Sequence, residues 1–401
     1  MPLDSLPLFK SLGTYVPYPS LICFILYLIP RSIKRYMEFK ILIIILISFL
    51  LLLVSVFKGI EYGKLEGSGR YCIELTFFII SYLAFNKFFK KIKSEEKDKY
   101  IDTSLSIIYK FHKPFVIFMI FQIFTHLMLK KSILTPFLSS RFTLGRLQSF
   151  SGEPSWAART LLILIFVAMI DKKDKIIQFT LLFLLFLTGS SLGILTYLIV
   201  IVLSKTERST IKKTLTFFFM ILFLYIVIQN TDSYLSSRIK ELINYKNLLN
   251  TRSGSIAARI FFPINALYIG LNNFILGIGG GYYREFHYKF LFELFPQFET
   301  IPNIYSVGVT SKNLYTRLAA ENGFIFLVFI LSYLFILYYK VLIELKNQNR
   351  TEVQCLFILM ILLNLNFDSL FYLYFIMLLS FFENLVRVED YEENWNYDNK
   401  L

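Results

Sequence analysis

The chain has 401 residues, 56% apolar and 18% aromatic, with mean hydropathy +0.58 and a formal net charge of +14. That much Phe, Leu and Ile cannot be hidden in one soluble core. It also comes in uninterrupted runs rather than periodic stripes, the mark of membrane-spanning helices and not of a globular enzyme or a nucleic-acid-binding domain.

Apolar runs fall at about 14–30, 41–57, 71–89, 114–129, 158–170, 176–188, 190–204, 214–229, 318–339, 353–367 and 369–386. The expected fold is an all-α, polytopic integral membrane protein: a single transmembrane domain over 1–401, about eleven transmembrane helices (range 10–12) and one large outer loop. The first 30 residues lack the charged start and small-residue cleavage site of a signal peptide, so the first run is expected to stay as a helix. Between Ile176 and Leu203 the stretch is too long for one span, and Thr188-Gly189-Ser190-Ser191-Leu192-Gly193 is expected to divide it.

Basic loops set the orientation. Arg31/Lys34/Arg35/Lys40, the lysine-dense 87–113 segment, 171–175, Lys205/Arg208/Lys212/Lys213 and Lys340/Lys346/Arg350 alternate so as to share one side, which the positive-inside rule makes cytoplasmic. Segments 58–70, 130–157 and 230–312 then face outward, and the acidic tail 387–401 lies inside. Nucleic acid is not an expected partner, because this basic excess is topological. The cysteines Cys23, Cys72 and Cys355 lie far apart without CxxC spacing, and His112, His126 and His287 form no ligand cluster. Neither a disulfide framework nor a metal site is expected, and no cofactor motif occurs.

The two outer loops and the helix entries closing them hold eight of the fourteen arginines: Arg141, Arg146, Arg159, Arg238, Arg252, Arg259, Arg284 and Arg317. Topogenic charge does not distinguish Lys from Arg. Phosphate recognition does, because guanidinium offers a planar, permanently charged fork of donors. The plainer alternative is snorkelling at the interface.

The first outer loop, 130–157, reads SSRFTLGRLQSFSGEPSWAARTLLIL toward its end. Glu153, just before Pro154, either complements the N-terminal dipole of the next helix or serves as a base for an attacking sugar hydroxyl. The second loop, 230–312, contains an apolar stretch interrupted by Pro263, Asn265, Gly270, Asn272 and Asn273. It is expected to form an interfacial helix at about 257–276, lying at the surface or dipping in where protein shields it. Gly277-Ile278-Gly279-Gly280-Gly281 follows. No strand precedes it, so it is not a dinucleotide fingerprint; it permits either a tight turn or an anion-binding nest, the turn being favoured. Tyr282 and Tyr283 are expected to offer faces for stacking on sugar rings or to belong to an interfacial aromatic belt. The loop closes with Lys312, Asn313, Arg317 and Glu321 at the head of the ninth span, and Arg317 and Glu321 form an i, i+4 pair. Glu74, Asn364, Asn366 and Asp368 read as helix-end residues, and no chain of buried ionisable groups is expected.

Several of these motifs resemble a known family: Gly145-Arg146…Phe150…Glu153-Pro154-Ser155…Ala157, the TGS helix break, an arginine-led helix running into LGIGGG, and KN-LY-…ENG heading a helix. In this order they are similar to the O-antigen polymerases, the Wzy-type members of the bacterial O-antigen polymerase/ligase superfamily. The resemblance implies a metal-independent glycosyltransferase in the bacterial inner membrane, active at the periplasmic face. Such an enzyme moves a growing glycan from undecaprenyl diphosphate to the non-reducing end of a new undecaprenyl-diphosphate-linked repeat unit. It would work beside a chain-length regulator and a flippase, among membrane lipids.

On this resemblance Arg146 and Arg259 would handle the diphosphate; it leaves the general base unassigned, and Glu153 is the candidate from its position beside the arginines. Arg141, Arg159, Arg252, Arg284, Tyr282, Tyr283, Lys312, Asn313 and Arg317 are the candidate substrate-binding residues. Arg141…Gly152 and Arg259…Gly270 reproduce a family spacing. Two departures stand out: ligase-like members carry histidine where Lys312 stands, and many relatives have arginine where this chain has Ser191. The alternatives are an O-antigen ligase acting on lipid A-core, or a flippase for lipid-linked oligosaccharide. A flippase is disfavoured because no internal repeat is visible and the arginines gather on one face.

Overall fold

The computed structural model describes residues 23–25, 27–28, 39–92, 97–129, 147, 149, 154–170, 175–203, 254–300, 309–346, 351–365, 370 and 372–387. In chain order the helices are α1 Phe39–Glu61, α2 Glu66–Lys91, α3 Lys97–Leu129, α4 Pro154–Ile170, α5 Lys175–Leu187 and α6 Ser191–Leu203. They continue as α7 Gly254–Asn272, α8 Tyr283–Leu294, α9 Leu314–Asn322, α10 Phe324–Lys346, α11 Thr351–Asn364 and α12 Leu373–Arg387. A 3-10 turn, Pro296–Thr300, follows α8. Among the described residues there is no strand.

Four helices are long and apolar enough to cross a membrane: Lys40–Glu61, Glu66–Lys91, Lys99–Thr125 and Phe324–Leu345, within α1, α2, α3 and α10. At about 1.5 Å per residue each matches or exceeds a hydrocarbon core of about 30 Å. Shorter apolar helices occupy α4, α5, α6, α11 and α12. The expected break at 188–190 is present, as a turn between α5 and α6. The two halves have 13 residues each, about 20 Å, too short to span separately. The expected spans at 14–30 (apart from a few residues) and 214–229, and the tail beyond Arg387, lie outside the described residues.

The helices divide by surroundings. From Ala157 to Ala168, α4 buries every residue except Arg159, enclosed by α3, α5, α6 and α11. A helix apolar on all sides belongs in such an interior. α1 does the reverse, burying 17% of its apolar window and exposing Leu46, Phe49, Leu50 and Phe57, a face suited to hydrocarbon and not to water.

Two expectations about the basic loops and the ninth span change. The lysine-dense 87–113 segment is mostly helical, α2 running to Lys91 and α3 beginning at Lys97. Lysine is a good helix former, and its stem can lie along apolar surface. Lys87 does so, donating to the Tyr27 carbonyl at 3.0 Å with its ammonium 4.9 Å from that ring's centre. The apolar run 318–339 is not one helix: it breaks at Gly323, where φ is +90°, a conformation that side chains oppose. The Phe324 N–H freed by the break donates to the Phe274 carbonyl at 2.8 Å.

Charged groups also lie deeper than the sequence implies. Glu383 of α12 pairs with Lys40 of α1 at 2.7 Å and accepts from the hydroxyls of Tyr82 on α2 and Tyr333 on α10. One carboxylate, its side chain 3% exposed, thus ties four helices together.

At the end of the bundle bearing the α1–α2 turn, α7, α8 and α9 form a block, with α7 packed most extensively on α9. The expected interfacial helix at 257–276 is therefore α7, starting three residues earlier and ending four earlier, and it packs on protein along one face. The glycine turn after it is wedged between the α1–α2 hairpin and the α9–α10 break. Ser55 Oγ donates to the Gly280 carbonyl at 2.7 Å, and the Tyr282 hydroxyl donates to the Lys64 carbonyl at 2.6 Å. Gly281 sits at φ +84°, and a Cβ there would lie 2.1 Å from the Gly67 carbonyl oxygen.

A methyl group at Gly280 would lie 2.1 Å from the Tyr71 ring, whereas one at Gly69 meets nothing within 4 Å. Gly280→Ala is expected to cost about 1–3 kcal/mol. Gly69→Ala should be neutral or stabilising by up to about 1 kcal/mol, because alanine is the better helix former. Thermal unfolding of both variants in detergent checks the contrast, and equal melting temperatures would refute the wedge.

Candidate functional site

Of the sequence-predicted residues, Arg141, Arg146, Glu153 and Arg252 lie outside the described residues, as do Arg238, Asn366 and Asp368. The rest gather near one end of the bundle. Arg259 is exposed in the second turn of α7 and Arg284 is exposed at the start of α8. Lys312 is half-buried with φ +60°, in the turn that leads into α9. Asn313 is the N-cap of α9, its side chain accepting from the Thr316 N–H at 3.2 Å. That capping role accounts for an asparagine here without reference to substrate.

Arg317, expected among the substrate-binding residues, is engaged in ion pairs within the protein. Its guanidinium donates to Glu321 at 3.1 Å and lies 3.0 Å from a carboxylate oxygen of Glu74 on α2, the three side chains being 13%, 2% and 14% exposed. The i, i+4 partner was legible in the sequence. Glu74, 243 residues away, was not. It sits in the third turn of α2, not at a helix end. Beside the triad, the Tyr71 hydroxyl donates to Asn322 Oδ1 at 2.9 Å.

The glycine turn spends its N–H groups on protein. Ile278 N–H donates to the Ala320 carbonyl and Gly279 N–H to the Glu321 carbonyl, both at 2.9 Å, while Gly277 N–H caps α7 on the Asn273 carbonyl at 2.9 Å. This is the tight turn of the two alternatives, and its close contacts explain the glycines. Gly270, the glycine of the Arg259 spacing, is likewise a packing residue: a Cβ there would lie 2.8 Å from the Ala319 backbone.

The tyrosines after the turn are packed inside the protein. Tyr282 is 0% and Tyr283 2% exposed, so neither ring presents a face to a sugar. The Tyr283 hydroxyl donates to the Phe262 carbonyl at 3.2 Å and lies 2.8 Å from His287 Nδ1. His287 is fully buried, and its Nε2 has no hydrogen-bonding partner. Burial, aided by the Lys312 ammonium, lowers its pKa to about 4, so the ring is neutral at pH 7. In the sequence His287 is one of three scattered histidines that form no ligand cluster; its partners Asn265 and Tyr283 come from the structure.

Arg159 stands apart from this block, in a cleft between α4, α6 and α11. Ser155, Leu162, Ser190, Leu192, Gly193, Thr196 and Leu363 are the other lining residues. Its guanidinium lies 5.9 Å from the centre of the Tyr372 ring, at the head of α12. α12 runs alongside α2 in the same direction, Tyr82 meeting Glu383 and Asn86 meeting Asn384. The head of α12 therefore lies toward the α1–α2 turn, the end where Arg259, Arg284 and Lys312 are found. Ser190 Oγ accepts the Gly193 N–H at 3.2 Å and so caps the start of α6. Arg159, the first turn of α6 and three hydroxyl-bearing residues thus line one small, largely apolar cleft.

No protein-family model matches this chain, and no curated protein sequence matches it.

Arg317→Ala strips the guanidinium from the largely buried carboxylates of Glu74 and Glu321 and is expected to cost about 3–5 kcal/mol. Adding Glu74→Gln should recover part of that loss in the same melting assay, an outcome not expected if Arg317 faced a ligand. For His287, the unfolded chain takes up a proton below about pH 6.5 that the folded site refuses until about pH 4. Its contribution is therefore complete above pH 6.5 and is lost as pH falls toward 4, by up to about 3 kcal/mol. Melting temperatures across that window should fall less steeply for His287→Gln than for the unsubstituted chain.

Proposed function

We propose that this protein is a glycosyltransferase of the bacterial inner membrane that polymerises lipid-linked oligosaccharide repeat units, with about eleven spans and its working face in the periplasm. The observation that carries the proposal is the Arg159 cleft, where a guanidinium, Ser155, Ser190, Thr196 and the first turn of α6 meet near one end of a membrane-embedded bundle. The sequence resemblance to the O-antigen polymerases supports it independently.

The chemistry asks for little else. The substrate is a glycan on undecaprenyl diphosphate, and diphosphate is already a good leaving group. Catalysis is then mainly charge stabilisation and positioning, which permanently charged arginines provide. Arg159, at the edge of the cleft, meets the leaving diphosphate, while exposed Arg259 and Arg284 meet the second carrier's phosphates as the incoming repeat unit arrives. A base removing the proton from the attacking hydroxyl adds about 10²–10⁴-fold. Glu153, immediately before α4 and six residues from Arg159, is the proposed base. The partners are undecaprenyl-diphosphate-linked oligosaccharides, a chain-length regulator and a flippase.

The test is deletion of the gene in its own host, followed by complementation. Lipid A-core capped with a single repeat unit is the expected phenotype. Bare core with long polymer still on the carrier would replace the proposal with a ligase, and bare core with only single carrier-linked units would replace it with a flippase. Arg159→Ala and Arg259→Ala should each lose about 10²–10³-fold of polymer formation. The corresponding lysine variants should recover little, because a point charge lacks the bidentate fork. Full complementation by Arg159→Lys at normal expression would remove the cleft from the reaction.

A further inference from the structure

We propose that α7 and the turn after it form a re-entrant element, entering the bilayer beside α10 and presenting an apolar face to lipid acyl chains. Depth is the first argument. The turn is bonded to Ser55 through the Gly280 carbonyl, and Ser55 lies six residues before the end of α1, about 9 Å inside that membrane span. On its other side the turn meets the first residues of the span Phe324–Leu345. The Phe274 carbonyl accepts from the N–H groups of Phe324 and Ile325 at 2.8 and 3.3 Å, and the two phenyl rings stack at 5.5 Å.

Exposure is the second. Leu271, Phe274, Ile275 and Leu276 are 55%, 49%, 67% and 51% exposed, an apolar tip that no soluble loop would present to water. Ile260 and Ile264, also exposed, fall on the same stripe of α7 as Leu271 at helical spacing. The tip adjoins the exposed Ile325 and Val328 of α10, so its surface continues the face that α10 offers to lipid.

Backbone chemistry is the third. Irregular backbone at membrane depth is tolerated only where protein satisfies it. Here Asn273, Gly277, Ile278 and Gly279 all donate to carbonyls of α7, the turn or α9, at 2.9–3.0 Å. Charge is the fourth: from Ile260 to Tyr283 the chain has no charged residue, and this stretch is bracketed by Arg259 and Arg284, both exposed. Two guanidiniums flanking an uncharged apolar hairpin suit the phosphate layer above a hydrocarbon-embedded tip. The element is thus a lipid-anchored wedge, and its embedding does not depend on the glycosyl-transfer chemistry proposed above.

The test uses full-length chain, free of its three native cysteines, reconstituted in phospholipid vesicles. Spin labels are placed at Ile275→Cys and, as a control, at Glu285→Cys, both exposed positions. The expected result is that the label at 275 collides preferentially with dissolved oxygen and loses its collisions with a water-soluble nickel chelate, while the label at 285 shows the reverse. A 275 label that meets the chelate as readily as the 285 label puts the tip in water and overturns the proposal. A 275 label shielded from both reagents places a protein surface, such as a second copy of this chain, over the tip and also overturns it.

Discussion

The wedging of one uncharged turn between two pieces of membrane helix governs the geometry of the whole α7–α9 block. Residues 277–282 fit against the α1–α2 hairpin so closely that the side of Tyr71 and the backbone of Gly67 leave no room for a β-carbon at Gly280 or Gly281. The same turn donates backbone hydrogen bonds to the carbonyls of Ala320 and Glu321. It also supplies, at Phe274, the carbonyl that accepts the Phe324 N–H freed by the helix break at Gly323. Without that acceptor the break would leave a donor stranded in a low-dielectric region, at a cost of about 1–3 kcal/mol. Break and turn are therefore conditional on each other.

The buried charges depend on the same contact. Glu321 lends its carbonyl to the glycine turn and its carboxylate to Arg317, whose second partner, Glu74, stands on α2. An ion triad and a hydrogen-bonded turn thus lock the block to the bundle from neighbouring positions. The Lys40–Glu383 pair with its two tyrosines does comparable work deeper in the bundle, holding α1, α2, α10 and α12. Both clusters are ion-paired networks in an apolar setting. Such networks fix helix register better than they add stability.

For the proposed reaction, this arrangement separates fixed from presented cations. Arg317 is neutralised by carboxylates and packed, whereas Arg259 and Arg284 stand exposed at the two ends of an uncharged stretch and Arg159 looks into a cleft. Arginines from the two outer loops and their helix entries thus divide into one held in the framework and three nearer the surface.

What the sequence determined by itself is the part set by local chemistry: long apolar runs for α1, α2, α3 and α10, the punctuation at 188–190, the Arg317–Glu321 pair and the choice of a turn for the glycine run. Each depends on residues within a helical turn or on mean hydropathy, so a window of sequence suffices. What only the tertiary structure decided are the contacts between distant segments. Glu74 as the second partner of Arg317, Glu383 as the anchor for Lys40, the burial of Tyr282 and Tyr283, and the break at Gly323 all require partners far away along the chain. Among runs nearly uniform in Leu, Ile and Phe, no periodic signal marks which face meets lipid and which meets protein. That choice falls to packing, because in a membrane both surroundings are equally apolar.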